Sequence, residues 1–316
     1  MSHSTRSTGN VAWAFQTVHH DLWDYDNASP PVFVTLTRDG ARVPAVLQAT
    51  KSGMLFVLNG DTGRPIFPVE ERAVPASNHS TRGGGSCAAV HHRDAAAESA
   101  SVWGRRGLGI SDADRIACRT AIEGLRNEGI FTPPSVQGTL VLPSNIGGAH
   151  WGGVAVDPMR QIAVVPVNRI AAVVQLIPRE GFDFEKTRAA EQRLGEDYEY
   201  NFMRGTPYIM RRRMLLSPSK LPCTPPPFGT LVAIDLKTGG RLWDVPLGSM
   251  ALCWAAIFAG KVQPEWGHRI LAARSPPQLA SSSLARRSTG DCTPLTLKVG
   301  VNFGAAFCPK AARRRR

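Results

Sequence analysis

Leu231–Trp243 reads L-V-A-I-D-L-K-T-G-G-R-L-W and is the stretch that decides the fold. Its first half alternates apolar with other residues, as a half-buried β-strand does. A polar turn follows at Thr238-Gly239, and Trp243 closes the stretch four residues after that glycine. This order of strand, turn and closing aromatic predicts a β-hairpin.

The same blade-like repeat occurs elsewhere in the chain. Residues 55–67 read L-F-V-L-N-G-D-T-G-R-P-I-F, and residues 7–13 read S-T-G-N-V-A-W, the second half of another copy. Repeats of a strand, a T-G turn and a closing aromatic are typical of β-propeller blades. The glycine supplies positive φ, and the aromatic is expected to pack between adjacent blades. T-G hairpins also recur in other all-β proteins, so the repeat alone leaves that alternative open.

Length and composition favour a loop-rich β protein. The chain has 316 residues, of which 43% are hydrophobic, with 30 glycines and 24 prolines. No apolar run reaches the roughly 18 residues of a membrane span, so no transmembrane segment is expected. The first ten residues have no apolar core of the kind that signal peptides carry.

The positive charge belongs to one end of the chain. The net charge is +12, but residues 251–316 alone hold eleven Lys or Arg against two acids, whereas residues 1–76 hold six against seven. A basic tail is not a basic face on a folded domain, so nucleic-acid binding is not expected. A basic interaction protein remains an alternative that rests only on this tail.

Two segments differ from the rest and set the expected domain boundaries. Residues 77–109 and 251–316 are rich in Ala, Arg, Ser and Gly and lack strand or helix periodicity. They are either disordered or translated out of frame; regrouping plausible codons for 269–275 by one base gives P-N-L-G-G-P-L, and the regrouped tail continues as blade-like sequence. Residues 1–76 and 110–250 are expected to form the blades.

The cysteines predict no cross-link. Their spacing matches neither a zinc site nor a disulfide framework. Cys118 and Cys223 lie in the blade-forming parts of the chain, and nothing in the sequence suggests that they pair. The other four lie in the two atypical segments: Cys87, Cys253, Cys292 and Cys308.

One short segment concentrates chemically active side chains. Residues 16–26 read Q-T-V-H-H-D-L-W-D-Y-D, and Lys51 follows in a T-K-S-G turn. Carboxylates this dense are costly to bury unpaired, but they suit a site where a base lies beside a cation. His19 and His20 are adjacent and would point to opposite faces of a strand, so they are interpreted as packing or hydrogen-bonding residues.

This segment resembles the active-site segment of the pyrroloquinoline-quinone (PQQ) dehydrogenases, most closely the membrane-bound quinoprotein glucose dehydrogenases. The resemblance covers residues 1–250 outside the insert, including 131–135 (F-T-P-P-S), 151–158 (W-G-G-V-A-V-D-P) and 176–179 (L-I-P-R). It implies an all-β fold, a partial eight-bladed β-propeller with an incomplete ring.

The resemblance also implies an activity. Family members of this branch oxidise D-glucose and other aldoses to the lactone and pass electrons to ubiquinone, with PQQ accepting the hydride. Asp24 matches the catalytic base, and Asp21 is the rival, with turn capping as its structural role. Lys51 would polarise the quinone oxygens. Asn168 would contact the cofactor, while Trp151 is interpreted as a blade-packing residue.

The family's remaining parts are expected outside this chain. Ligands for Ca²⁺ or Mg²⁺, the tryptophan beneath PQQ and the inner-membrane anchor of the periplasmic catalytic domain would all precede residue 1. The chain alone is therefore expected to be inactive and prone to aggregate through unpaired blade edges. Two alternatives stay open: a PQQ-dependent alcohol dehydrogenase, although those relatives tend to have Arg at the Lys51 position, and a non-catalytic propeller scaffold.

Overall fold

The fold is described from a computed structural model, over residues 1–4, 8–78, 87–91 and 111–247. All of these residues belong to the unit Met1–Pro276. The tail 251–316 and most of the insert 77–109 lie outside the described residues, and so do the frameshift predictions made for them.

Antiparallel strands dominate this part of the chain. In chain order the elements are β1 (Ser2–Ser4), β2 (Val11–Ala14), β3 (Val32–Arg38), β4 (Ala41–Ala49), β5 (Leu55–Asn59), β6 (Val69–Ala73), β7 (Cys87–His91), α1 (Asp112–Glu123), β8 (Thr139–Val141), β9 (Ala155–Asp157), β10 (Ile162–Asn168), β11 (Ala172–Pro178), α2 (Phe184–Arg193), β12 (Glu199–Asn201), β13 (Tyr208–Met214), β14 (Gly229–Asp235) and β15 (Arg241–Pro246).

The strands form five sheets, with orders β1-β2, β3-β4-β5, β6-β7, β12-β13-β11-β8 and β15-β14-β10-β9. The hairpin predicted from Leu231–Trp243 is confirmed, because β14 and β15 pair antiparallel across the Thr238-Gly239 turn. In that turn the Asp235 carboxylate accepts hydrogen bonds from the Lys237 backbone N–H and the Thr238 hydroxyl.

The β3-β4-β5 sheet lies between two apolar clusters. Because strand side chains alternate between faces, Leu47 and Val57 join a cluster with β10 and β14, while Val46 and Phe56 join one with β2, β8 and β11. Burial on both faces leaves little choice of register, since a one-residue slip would exchange the two sets. The sheet is therefore a fixed platform for the turns at its ends.

Two of the closing aromatics, Trp13 and Phe67, pack on the turn of a following repeat. The ring of Trp13 lies 2.5 Å from where a Cβ on Gly63 would stand, and Trp13 Nε1 donates to the Gly60 carbonyl at 2.8 Å. Phe67 lies in the same way 2.9 Å from a Cβ position on Gly239. The aromatic of one repeat thus seats on the glycine turn of another, as the repeat pattern predicts.

Substitution of Gly63 by alanine is expected to reduce the free energy of unfolding by about 3 kcal/mol. The methyl group would overlap the Trp13 ring and would also sit at a φ of +70°. Gly9→Ala is the matched control, because Gly9 has φ +72° but no atom of the described residues lies within 4 Å of the added Cβ, and only the backbone cost of about 1 kcal/mol applies. Equal losses in denaturant titrations of the two variants would contradict the seating of Trp13.

The expectation that Cys118 and Cys223 do not pair is wrong. Their sulfurs are bonded across a sequence separation of 105 residues, and both side chains are buried. The partners meet because α1 packs against residues 215–223, where the Asp114 carboxylate accepts the Ser219 backbone N–H at 3.0 Å. Burial alone raises the pKa of Asp114, but hydrogen bonds from Ser219 and Ser111 outweigh it and leave the pKa lowered.

Candidate active site

The acidic segment is held by its aromatic residues. Trp23 and Tyr25 are buried, whereas Asp21, Asp24 and Asp26 lie at the surface. The Trp23 ring meets Phe131 edge-on at 5.2 Å, and the Tyr25 hydroxyl donates to the Pro143 carbonyl at 2.7 Å. Burial raises the pKa of Tyr25, so it remains a neutral donor. The alternation of buried rings and exposed acids presents the carboxylates outward from a rigid anchor.

Asp24 has a left-handed backbone, with φ at 63°. Among residues other than glycine, Asp and Asn adopt this region most readily. The conformation turns the chain between the two buried aromatics and directs the Asp24 carboxylate toward the turn that carries Lys51.

Lys51 brings a buried ammonium to these carboxylates. Its side chain is 7% exposed, and Nζ lies 3.0 Å from Asp24 Oδ1 and in direct contact with Asp26 Oδ1. Burial lowers the pKa of Lys51, but the hydrogen bonds to Asp26 and Asp24 outweigh it and leave the pKa raised. Lys51 is therefore a permanent cation at neutral pH.

Asp21 is placed differently from its two neighbours. Its Oδ1 accepts the Trp23 backbone N–H at 2.8 Å, which is the turn-capping arrangement. Desolvation raises the pKa of the Asp21 carboxyl, and the charges of Asp24 and Asp26 add to that effect against two backbone hydrogen bonds. No contact between Asp21 and Lys51 is found among the described side chains.

A glycine-rich loop closes over Lys51. A Cβ on Gly147 would stand 2.7 Å from Lys51 Cγ, so only glycine permits this approach. Asn168, which is 4% exposed, fixes the loop: its Nδ2 donates to the Gly147 carbonyl at 3.2 Å and its N–H to the Gly148 carbonyl at 2.7 Å. Asn168, the predicted cofactor-binding residue, is therefore linked to Lys51 indirectly, through the loop that it holds.

Trp151 lies at the end of that loop with an open face. Its indole is 5.9 Å from Lys51 Nζ, and the residue is 51% exposed. The interpretation of Trp151 as a blade-packing residue stays a prediction. The loop turns the indole outward beside the ammonium because Gly148 packs closely against Gly53.

Sequence reasoning missed Arg212, the second charged partner of Asp24. Arg212 Nη1 lies 3.5 Å from Asp24 Oδ2, across 188 positions of sequence. The only sequence signal is the run Arg211–Arg213 within an alternating strand, which places a cation on each face. His19, in contrast, hydrogen-bonds Glu71 at 2.9 Å, as its hydrogen-bonding interpretation expects.

The site offers a particular set of groups. An ammonium, a guanidinium and a half-exposed indole surround one accessible carboxylate, and this set fits a planar, negatively charged ring system. Across residues 1–4, 8–78, 87–91 and 111–247, no group of three or more His, Cys, Asp or Glu side chains is arranged to hold a metal ion. In the same ranges no helix has the length and apolarity needed to span a membrane.

Blade-like repeats in antiparallel sheets are typical of a β-propeller. A family model described as "PQQ: Glucose/ethanol/alcohol dehydrogenase, beta-propeller domain" matches residues 5–282. The chain belongs to this PQQ dehydrogenase family.

Named relatives are about one-third identical to this chain over the residues that align. It is 36% identical over 248 residues to a quinoprotein glucose dehydrogenase of Escherichia coli (strain K12), covering 77% of this chain and 30% of the relative. It is 35% identical over 260 residues to a probable quinate dehydrogenase (quinone) of Xanthomonas campestris pv. juglandis, covering 77% and 31%. A solved europium-containing methanol dehydrogenase aligns at 18% identity and a TM-score of 0.43, covering 77% and 32%. The chain thus spans about a third of the length of these relatives.

Proposed function

We propose that this chain carries the base and the electrophilic cation of a PQQ-dependent dehydrogenase that oxidises D-glucose and related aldoses to the lactone and delivers electrons to ubiquinone. The observation that carries the proposal is the buried Lys51 ammonium bonded to Asp24 and Asp26. A propeller used only as a scaffold would have no reason to bury a lysine beside two half-exposed carboxylates.

Asp24 acts as the general base. Its side chain is 52% exposed, so a substrate hydroxyl can reach the carboxylate and transfer its proton to a carboxylate oxygen. PQQ, when bound, supplies the ortho-quinone that accepts the hydride. Lys51 stabilises the negative charge that develops at the acceptor, and the loop held by Asn168 keeps water from the buried side of the ammonium.

Cofactor contacts follow from the same geometry. Lys51 would hold the quinone oxygens, and Asn168 would act at the site through the loop at Gly147 and Gly148. The metal, Ca²⁺ or Mg²⁺, would take its ligands from other blades of an eight-bladed ring. Since the chain spans about 30% of the glucose dehydrogenase relative, we also propose that it is inactive without the rest of the propeller.

We propose aldoses rather than other alcohols as the preferred substrates because Lys51 stands at the position where alcohol-oxidising relatives tend to have arginine. An alcohol dehydrogenase remains the second candidate, and the likeness to a quinate dehydrogenase adds cyclic polyols to the substrates worth testing. The Cys118–Cys223 disulfide supports a periplasmic location, since such bonds persist in oxidising compartments.

The segments 77–109 and 251–316 are proposed to be out of frame. Resequencing the gene tests this directly, because removal of one insertion or deletion near codon 77 and another near codon 251 should restore continuous blade sequence. A gene that offers no such frame would show that both segments are genuine protein.

Dye reduction by the frame-corrected, full-length enzyme tests the function. With PQQ and Ca²⁺ present, glucose is expected to give faster turnover than ethanol, glycerol or quinate at equal concentration, and omission of PQQ should abolish it. Faster turnover with a primary alcohol would select the second candidate. No turnover with any of these substrates, despite bound PQQ, would contradict the proposal.

A further inference from the structure

Strand β13 carries three consecutive arginines that divide between its two faces. Arg211 and Arg213 lie over the Tyr198 ring, at 4.3 and 5.3 Å from its centroid. Because side chains alternate along a strand, Arg212 lies on the opposite face. The proposed base Asp24 is the residue that it meets there.

Apolar packing fixes this meeting. Arg212 is directly opposite Val174 of β11, and Val174 belongs to the same buried cluster as Trp23 and Tyr25. These two aromatics flank Asp24 in sequence, so the cluster that anchors them also holds the Arg212 face of the sheet against the acidic segment. The contact is therefore set by the core rather than by two free surface side chains.

Arg212 has a second acidic partner on the same face of the sheet. Glu199 is its cross-strand neighbour in β12, and Arg212 Nε lies 2.8 Å from Glu199 Oε2. The two nitrogens of one planar guanidinium thus face two different carboxylates, an arrangement that fixes the orientation of the group.

The Asp24 carboxylate has a different cation on each oxygen. Lys51 lies 3.0 Å from Oδ1 and Arg212 lies 3.5 Å from Oδ2. A carboxylate bonded on both sides to groups from separate elements is restricted in rotation about its χ angles. The oxygen that must take the substrate proton then keeps one direction, which preorganises the site.

We propose that Arg212 is a positioning residue that holds the Asp24 carboxylate in one orientation, and that Glu199 weakens this hold by sharing the guanidinium. The inference rests on the proposed role of Asp24 as the base. It adds Arg212, from a strand remote in sequence, to the site. It also adds Glu199, whose carboxylate acts on Asp24 only through Arg212.

The directions of the effects follow from the contacts of the Arg212 guanidinium. Removal of Arg212 takes away the cation at Asp24 Oδ2, so the carboxylate becomes freer and more open to a reagent. Removal of the Glu199 charge leaves the guanidinium to Asp24, so their contact tightens. Loss of Arg212 and loss of Glu199 should therefore change the reactivity of Asp24 in opposite directions, whereas simple damage to the fold would not.

Carbodiimide labelling of carboxyl groups in the purified chain tests this. Fragment-ion spectra separate Asp24 from Asp21 and Asp26, and the rate of Asp24 labelling is measured at one fixed pH. Arg212→Gln is expected to raise this rate by about 1.4–5-fold, the size of an exposed charge pair. Glu199→Gln is expected to lower it.

Two further variants serve as controls. Arg213→Gln makes the same change in charge on the other face of β13, where its partners are Tyr198 and Glu196, and should leave the Asp24 labelling rate unchanged. Arg212→Lys keeps the charge without the planar fork and should return the rate most of the way to that of the wild type, also where Arg212→Gln folds poorly. Equal rates for the wild type, Arg212→Gln and Arg213→Gln would overturn the inference.

Labelling requires neither PQQ nor turnover, so it separates this inference from the proposed function. Unchanged labelling rates, together with loss of turnover in an Asp24→Asn enzyme, would remove Arg212 and leave the function standing. Opposite changes in rate in Arg212→Gln and Glu199→Gln, together with full turnover in Asp24→Asn, would overturn the proposed function and with it the catalytic meaning of the contact.

Discussion

Asparagine at position 24 is expected to lower glucose turnover of the frame-corrected, full-length dehydrogenase by about 10²–10⁴-fold, the contribution of a positioned general base. The amide is nearly the same size as the carboxylate and tolerates the left-handed backbone found at Asp24. Lys51 keeps Asp26 as its partner, so the ammonium stays in place. The substitution therefore removes the proton acceptor and little else.

The measurement combines dye reduction with a PQQ titration followed by tryptophan fluorescence. Bound PQQ with lost turnover is the expected combination. Asp39→Asn is the matched control, because Asp39 is also an exposed aspartate with positive φ, at 50°, but lies in the β3-β4 hairpin turn. Turnover retained in Asp24→Asn would remove Asp24 from its role and leave Asp21 as the candidate.

Loss of the Cys118–Cys223 bond is expected to reduce the free energy of unfolding by about 2–5 kcal/mol. The bond closes a loop of 105 residues, and long loops gain most from closure because the unfolded chain loses more freedom. Alanine is the suitable replacement at both positions, since both sites are buried and a serine hydroxyl would need a partner there.

Denaturant titration with and without a reducing agent checks this value. The wild type under reducing conditions should unfold at the midpoint of the Cys118→Ala/Cys223→Ala variant, and the variant should not respond to the reductant. A wild type whose midpoint is the same in both conditions would show that the bond adds no stability.

Local rules predicted the hairpins and failed for contacts between distant segments. The turn at Thr238-Gly239 follows from alternation and from an aspartate that caps its own turn, and both are visible within thirteen residues. The two cysteines carry no such pattern, because their pairing depends on where α1 packs. The sequence reasoning also treated residues 110–250 as β-rich and did not place α1 or α2, although Ser111 and Asp183 cap their first turns.

The site was predicted in part. Family resemblance linked Asp24 to Lys51, and the structure brings them to 3.0 Å. Residue types alone did not indicate that Lys51 is buried, because a lysine in a T-K-S-G turn is ordinarily solvated. Arg212 stayed hidden for a further reason: which of three arginines faces the acid depends on strand register, which the pairing with β11 and β12 sets.

The packing of Trp13 on Gly63 and of Phe67 on Gly239 limits which exchanges of blades a propeller can tolerate. In both joints a closing aromatic covers the glycine turn of a later repeat, so a blade transplanted with its own glycine turn and closing aromatic brings both contact surfaces with it. Blade exchange between homologous propellers should therefore keep the joints intact when the cuts fall between a closing aromatic and the next strand. A cut between the glycine turn and the closing aromatic of one repeat would separate the two and leave two mismatched joints.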